Sequence, residues 1–466
     1  MIISSGIITQ WLFLKLLGIV YCLVFCSLYV QIEGLYGSRG VLPISTYVND
    51  SKTLSRVETI FTIPSLFVFY AGDFFLRICT ALGIVLSLFL ITGYLQPLML
   101  LLLWILYLSF VSVGQEFLSF QWDALILETG FMSIFFALAT PPPLVIFAFC
   151  FFVFRFMFSA GVVKLTSGDP TWRKLAALRY HYETQPLPNP VSWFAHQLPV
   201  SFQKFSALGT FFFELAVPLL ALGPAPARLA GFVLLVFFQG LVFLTGNYGF
   251  FNILAVALAV MLLDDRYLSW IGDFVSIRAA KAADPILSSC ITAIFVGFLV
   301  VNFLQLSMLF YRPHRLSRLM LFLMRFGISS QYGLFAVMTT NRFEFVIEGS
   351  YEIQEWRAYE FRWKPGDPNR LPGQVAPHQP RLDWQIWFAA LDPTYIETWL
   401  SNLMVRLLEG SPPVLSLLGN NPFPDIPPTR IRLSVYRYHF TDRQTRRDTG
   451  RWWDRTLVGT SSPFSL

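Results

Sequence analysis

The chain reads as a series of long apolar runs separated by short polar breaks, and then, past residue 310, as a different kind of sequence. Nine runs are dense enough in apolar residues to be taken as membrane spans: 8–30, 78–95, 97–113, 124–139, 144–163, 205–222, 229–245, 250–263 and 286–310. A helix needs about 20 apolar residues to cross the hydrocarbon layer. The shorter members of the set are therefore expected to tilt or re-enter. The first run is broken only by Lys15 and is followed by Gln31, Glu33 and Gly34 rather than by a small-residue cleavage site, so it reads as a retained span.

Residues 311–466 alternate with period two instead. Phe343, Phe345 and Ile347 interleave with Glu344, Val346 and Glu348; Tyr359, Phe361 and Trp363 alternate ahead of a Pro365-Gly366-Asp367 turn; Ile431, Leu433 and Val435 repeat the pattern. These predict half-buried strands. Asp392-Pro393 offers an N-cap and first-turn proline for a helix with Ile396, Trp399, Leu400, Leu403 and Leu407 on one face. The fold class that follows is a multi-pass α-helical membrane domain over residues 1–310, with a polar loop at 164–204, followed by a small α+β soluble domain with a β-sheet over 311–466. The second is expected to lie against the first.

Composition supports the division. The chain is 55% hydrophobic and 13% charged, against about 25% charged in ordinary soluble domains. Residues 77–310 hold 21 charges and residues 311–466 hold 33. A single soluble globule, a disordered chain and a small disulfide scaffold are excluded. Of the 19 basic residues in the tail, 18 are arginine, which suits planar pairing with carboxylates more than a polycationic surface, and no nucleic-acid partner is expected. The five cysteines all lie in or beside apolar runs, without metal-ligand spacing, so no metal and no cofactor are expected.

Span parity groups the interesting loops. With nine spans, loops 31–76, 114–123, 164–204 and 246–249 share a side with the tail, and the N-terminus shares the other side with loops 140–143, 223–228 and 264–285. The lysines and arginines of loop 164–204 point weakly toward a cytoplasmic tail. Parity says only that these loops and the tail face one compartment, the lipid bilayer being the common partner.

Three stretches concentrate polar residues that are expensive at membrane depth. The first runs from Glu116 through Asp123 to Glu128. Glu116 and Asp123 are seven apart and would share a helical face, either toward the bundle interior or in the headgroup layer beside Trp122. The second contains Arg155, which must pair with Asp123, Glu128 or Glu214, and Lys164, next to small Ala160 and Gly161 that permit close helix contact. Lys164 is either a snorkelling lysine or a desolvated general base. The third is the loop with Asp169, His181, Glu183 and His196. In an extended segment His181 and Glu183 would point the same way and make an acid–base pair; as a structural loop they would be held by local hydrogen bonds.

The same residues carry a resemblance. Leu165-Thr-Ser-Gly-Asp169-Pro-Thr-Trp172 and Tyr180-His-Tyr-Glu-Thr-Gln-Pro-Leu-Pro-Asn-Pro190 resemble the signature loop of the lipase maturation factor family. Gly114-Gln-Glu-Phe117 with Phe120-Gln-Trp-Asp123 and Leu127-Glu-Thr-Gly-Phe131 resemble its earlier segment. Pro377-His-Gln-Pro-Arg-Leu-Asp-Trp-Gln385, Trp387-Phe-Ala-Ala-Leu391, Asn421-Pro-Phe-Pro424 and Gly450-Arg-Trp-Trp453 resemble its soluble region. The resemblance implies a maturation factor for secreted lipases or other exported clients, in the endoplasmic reticulum membrane with a lumenal C-terminal domain. The chain is shorter than the vertebrate members, so a prokaryotic cytoplasmic membrane is the alternative location. Phe158-Ser-Ala-Gly-Val-Val-Lys-Leu165 is more remotely similar to the lysine-bearing segment of vitamin K-dependent gamma-carboxylase.

Two readings follow. In the first, a non-enzymatic factor binds an immature client such as a lipase through Trp356, Trp363, Trp384 and Trp387 of the tail. In the second, a membrane enzyme uses Lys164 as general base on a lipid-soluble or protein substrate, with His181, Glu183 or Asp169 orienting it.

Overall fold

The computed structural model describes residues 6–50, 56–274, 284–311, 313–352, 355–392, 394 and 398–465. The apolar runs form helices whose ends follow local chemistry. Helix α1 (Ile7–Tyr29) packs along α2 (Asp73–Thr92), which stops at Gly93, where φ of 86° lets the backbone turn left-handed and cap the last carbonyls. Helix α3 (Gln96–Val113) carries Pro97 in its first turn, where the missing N–H removes no helical bond. Helix α4 (Gln121–Phe136) packs on α3, and α5 (Pro143–Thr166) runs through the centre of the bundle.

The polar loop then folds into short helices, among them α6 (Ala177–Thr184) and a turn over Pro190–His196 capped by Asn189. Helix α7 (Val200–Phe211) continues through a π-turn at Phe212–Ala216 and a 3-10 stretch at Val217–Leu222. Helix α8 (Ala225–Thr245) packs mainly on that 3-10 stretch. Helix α9 (Phe251–Ala259) and a short 3-10 turn to Leu262 are buried, and α10 (Pro285–Ser307), N-capped by Asp284, lies against α5.

Among the described residues seven helical segments are long and apolar enough to cross a membrane: α1, α2, α3, α5, Val200–Leu222, α8 and α10. The expected spans at 124–139 and 250–263 are shorter helices. The 16 residues of α4 cover about 24 Å at about 1.5 Å per residue, below a hydrocarbon thickness of about 30 Å. Their burial explains why they can be short: most of α4 and nearly all of α9 face other protein, so neither has to match the lipid.

The bundle has two distinct ends. At one, Thr9 donates its backbone N–H to Asp265 (3.0 Å), and Gln10 donates to the carbonyls of Phe136 (2.6 Å) and Ala139 (2.9 Å). At the other, loops 31–50, 114–123, 164–204 and 246–249 meet the C-terminal region, as span parity grouped them. Helix α11 (His314–Arg325) follows α10, with Arg315, Arg318 and Arg325 exposed.

Beyond it lies a five-stranded antiparallel sheet. Its strands are β1 (Arg342–Ser350), β2 (Arg357–Phe361), β3 (Leu418–Asn420), β4 (Arg430–Phe440) and β5 (Trp453–Thr460), in the order β3-β2-β1-β4-β5. The alternation was informative: Phe345 faces Val435 and Ile347 faces Leu433 across the β1–β4 pair. Glu344, taken as a solvent-side residue, is fully buried, because Arg342 and Lys364 neutralise it from both sides.

Helix α12 (Arg381–Leu391) is wedged between β1 and the Gln115–Leu118 turn of the bundle. Helix α13 (Trp399–Leu408) buries Trp399, Leu400, Leu403 and Leu407 as the pattern expected. Its start is Thr398 rather than Asp392, whose carboxylate instead accepts from Thr394 N–H (3.0 Å); Pro393 and Ile396 lie outside the described residues. One continuous apolar core runs from the bundle into the sheet, including Phe13, Phe149, Ile347 and Leu403.

Candidate functional site

Asp123 lies in the first turn of α4, where its carboxylate also accepts from the Phe120 N–H. Both its oxygens are taken by Arg381 at the start of α12, at 2.6 and 2.8 Å, and Tyr107 donates its hydroxyl at 2.5 Å. Arg381 further donates to the Phe117 carbonyl (2.9 Å) and stacks over the Phe120 ring (5.6 Å). A planar guanidinium matches a carboxylate in this two-bond way. Burial opposes the Arg381 charge, but Asp123 beside it outweighs burial and holds the guanidinium above its ordinary value.

The expectation that Glu116 and Asp123 share a helical face fails. Glu116 sits in the separate Gln115–Leu118 turn, entered through Gln115 in a left-handed conformation (φ 44°), so the helix between them is broken.

Glu128 and Arg155 form the second buried pair, at 2.5 Å and each 1% exposed. The segment after α11 completes it: Arg155 donates to the Ser330 carbonyl (2.7 Å), while Ser330 N–H (3.0 Å) and Tyr332 hydroxyl (2.6 Å) donate to Glu128. Of the three partners considered for Arg155, the structure selects Glu128. The remaining two carboxylates are engaged elsewhere.

Lys164 is buried rather than snorkelling. Its Nζ donates to Glu214 at 2.8 Å and to the Ala160 carbonyl at 3.3 Å, 5.5 Å from the Trp172 ring centre. The close approach comes from Gly161: a Cβ there would lie 2.6 Å from Leu215 Cδ2 and 3.1 Å from Glu214 Cβ. Glu214 sits in the π-turn, an insertion that re-aims side chains and recurs at functional sites. Its signal in the sequence was a lone carboxylate inside an apolar run.

This pair forms part of the wall of a cavity of about 1140 Å³. Aromatic and aliphatic side chains of α5, α7 and α8 make most of the lining, and the polar remainder includes Lys164, Glu214, His181, Tyr248 and Gln239. His181 Nε2 lies 2.8 Å from the Tyr248 hydroxyl, which donates its proton to Gln185 Oε1 (2.8 Å), whose amide donates to the Thr245 carbonyl (2.8 Å). With the Tyr248 proton so committed, His181 donates through Nε2 and keeps a lone pair on Nδ1. Burial and the nearby Lys164 charge push the His181 pKa down to about 4, so the ring is neutral at physiological pH. Burial also pushes the Tyr248 phenol up, keeping it a neutral donor.

Glu183 does not join His181. The segment is helical, not extended, so residues two apart point to nearly opposite sides. Glu183 instead accepts from the Phe440 N–H (3.1 Å) and lies 3.8 Å from His196 and 3.6 Å from His439, tying the loop to β4. Asp169 is an N-cap: its carboxylate accepts from Thr171 N–H (2.7 Å) and Met338 N–H (2.6 Å), holding two chain segments together. Among the described residues no group of three or more His, Cys, Asp or Glu could hold a metal ion.

The tail tryptophans divide. Trp384 and Trp387 are buried; Trp384 packs on Trp122 (4.8 Å) and Phe120 (5.6 Å) of the bundle, so neither offers a surface to a client. Apolar side chains on a helix wedged between two regions go to the interface. Trp363 is half-buried, and Trp356, also half-buried, lies under the Arg432 guanidinium (4.2 Å).

Sequence reasoning missed Arg342. It is fully buried in β1, pairs with Glu344 (2.5 Å), and donates to the carbonyls of Glu183 (2.9 Å), Gln185 (2.5 Å) and Pro186 (2.9 Å). A strand of the sheet thus grips the polar loop of the bundle. Asn247 does the same from the other direction, donating to the Gly373 carbonyl (2.9 Å) and accepting from Val375 N–H (2.7 Å).

Comparison with known proteins finds matches in both regions that meet at this junction. Residues 8–270 match the lipase maturation factor transmembrane domain, and residues 328–463 match the lipase maturation factor C-terminal domain. The chain is 34% identical to lipase maturation factor 2 of Mus musculus over 98% of its length and 82% of the relative's. It is 33% identical to lipase maturation factor 1 of Homo sapiens over 98% of its length and 87% of that protein's. No solved structure matches it. With both regions matched in order and nearly the whole chain aligned, the protein is a membrane maturation factor and belongs to the lipase maturation factor family.

Proposed function

We propose that this protein matures secreted lipases, acting from the endoplasmic reticulum membrane with the sheet and the loops gripped by it in the lumen. The observation that carries the reading is the junction. Arg381 with Asp123, and Arg342 with the 183–186 carbonyls, fix the sheet to the bundle through buried charges. A folding client would therefore meet one rigid surface anchored at the membrane, not a domain on a tether. The client class, lipases, follows from the similarity to lipase maturation factors 1 and 2.

Half-buried Trp356, just ahead of β2, with exposed Tyr351 and Ile426, and half-buried Trp363 past the other end of β2 supply apolar contact area for an immature chain. The enzyme reading with Lys164 as base has less support, because the amine is engaged with Glu214 and the Ala160 carbonyl as an ion-paired donor. The test is capture of a newly made lipase: cross-linking in cells followed by purification of the full chain should recover the lipase intermediate. The Trp356→Ala/Trp363→Ala double variant should recover several-fold less at equal expression. Equal recovery by the variant and by an unrelated membrane protein overturns the reading.

A further inference from the structure

Client binding leaves unused the cavity over Lys164 and Glu214. We propose that it is a binding site for a neutral lipid carrying a hydroxyl head group, which enters sideways from the bilayer. Its volume, about 1140 Å³, exceeds the roughly 300–1,000 Å³ of ordinary small-molecule pockets and suits a ligand with long apolar parts.

The walls point to where the ligand comes from. Phe205 and Leu208 of α7, Phe212 of the π-turn, and Phe237 and Leu241 of α8 line the cavity and are exposed, between 43% and 70%. The Val200–Leu222 segment that begins with α7, and α8, are each long and apolar enough to cross the membrane and little buried, so their exposed apolar side chains face lipid. Helix α8 packs on the Val217–Leu222 stretch and on α9 rather than along α7, so entry is placed between α7 and α8, where the exposed lining residues lie.

The polar end selects the head group. Glu214 is 7% exposed; one carboxylate oxygen is held by Lys164, while Oε2, also buried, has no donor among the described residues. A buried acceptor without a partner is costly, so a ligand that brings a donor is favoured there. Lys164 and Glu214 cancel in charge and His181 is neutral, so a charged head would be uncompensated. An anionic head would in addition face the free Glu214 oxygen. A hydroxyl fits: it donates to Glu214 Oε2 and can accept from the remaining Lys164 N–H.

The experiment uses the full chain in phosphatidylcholine nanodiscs with diazirine-bearing analogues of 1,2-dioleoylglycerol, cholesterol and dioleoylphosphatidic acid. Labelled peptides are mapped after irradiation. Labelling by dioleoylglycerol or cholesterol is expected to concentrate in residues 205–214 and 237–245, which also tells the two sources apart. It should fall about tenfold in the paired variant Lys164→Met/Glu214→Leu, which removes the head-group contacts without stranding a charge. Gly209→Phe should also block it, since a Cβ at this lining position meets nothing within 4 Å and the ring can occupy the cavity. Equal labelling by phosphatidic acid, labelling spread evenly over all spans, or labelling unchanged in both variants overturns the proposal.

Discussion

At the residue scale, the molecule keeps its few membrane-depth charges by pairing them. The pairing makes a sharp energetic prediction for Asp123 and Arg381. Removing Arg381 alone strands a buried carboxylate, which costs ~3–5 kcal/mol, whereas replacing both partners with apolar residues of similar volume is close to neutral. Thermal unfolding of the detergent-purified protein should show a large drop in Tm for Arg381→Met and recovery of most of it in Asp123→Leu/Arg381→Met. A double variant no more stable than the single one contradicts the pairing.

His181 makes a second prediction, for pH. Its folded-state pKa is about 4 against an ordinary 6.5. Between those values the unfolded chain binds the proton and the folded chain does not. The stability of the neutral ring is thus fully present above pH about 6.5 and lost as pH falls through about 4. His378, whose Nδ1 lies 2.9 Å from the Ser27 hydroxyl and whose pKa burial also lowers to about 4, acts in the same direction. The fall in Tm between pH 6.5 and pH 4 should be shallower in His181→Phe than in the parent, and shallower again with His378→Asn added. Parallel pH profiles for all three proteins rule the assignment out.

At the scale of elements, most of what the sequence offered was periodicity, and periodicity is local. The apolar runs became helices and the alternating tail segments became β1, β2 and β4, because burial of a stripe or a face is written every few residues. Positions decided by distant partners were not legible. Nothing near Asp123 announces Arg381, 258 residues away, and nothing in the β1 pattern marks Glu344 as buried. The pairing of His181 with Glu183 held only for an extended segment, and eight residues there closed into helix. Buried Trp384 looked like a binding residue for a related reason, since sequence shows that a side chain is large and apolar but not which surface covers it. Gly161 was the more legible kind of residue, a small side chain beside a lysine in an apolar run. Gly161→Val should separate α5 from the π-turn, lowering stability by ~1–3 kcal/mol through overpacking. Denaturant unfolding of purified protein measures this, and an unchanged midpoint would show that the helices do not approach as closely as described.

At the scale of the whole molecule, the bundle has one plain end and one end built together with the sheet. The loops containing Asp123, Glu183, Asn247 and Gln31 all contact the C-terminal region, so they lie on its side of the membrane. Glycosylation acceptor sites added at the C-terminus should therefore be modified in the endoplasmic reticulum, while sites placed before Ile7 should stay unmodified. The reverse pattern would invert the orientation proposed here. The continuous core across the junction also means that the two regions unfold together: a single cooperative transition is expected, not a separate low-temperature loss of the sheet.

The most direct test of a lipase maturation factor is the specific activity of a secreted lipase from cells that lack their own family members. Expressing this chain should restore secreted activity per molecule of lipase, and Arg342→Ala/Arg381→Ala, which releases the sheet from the bundle, should fail to restore it. Lipase that remains equally inactive or retained with and without this chain contradicts the account.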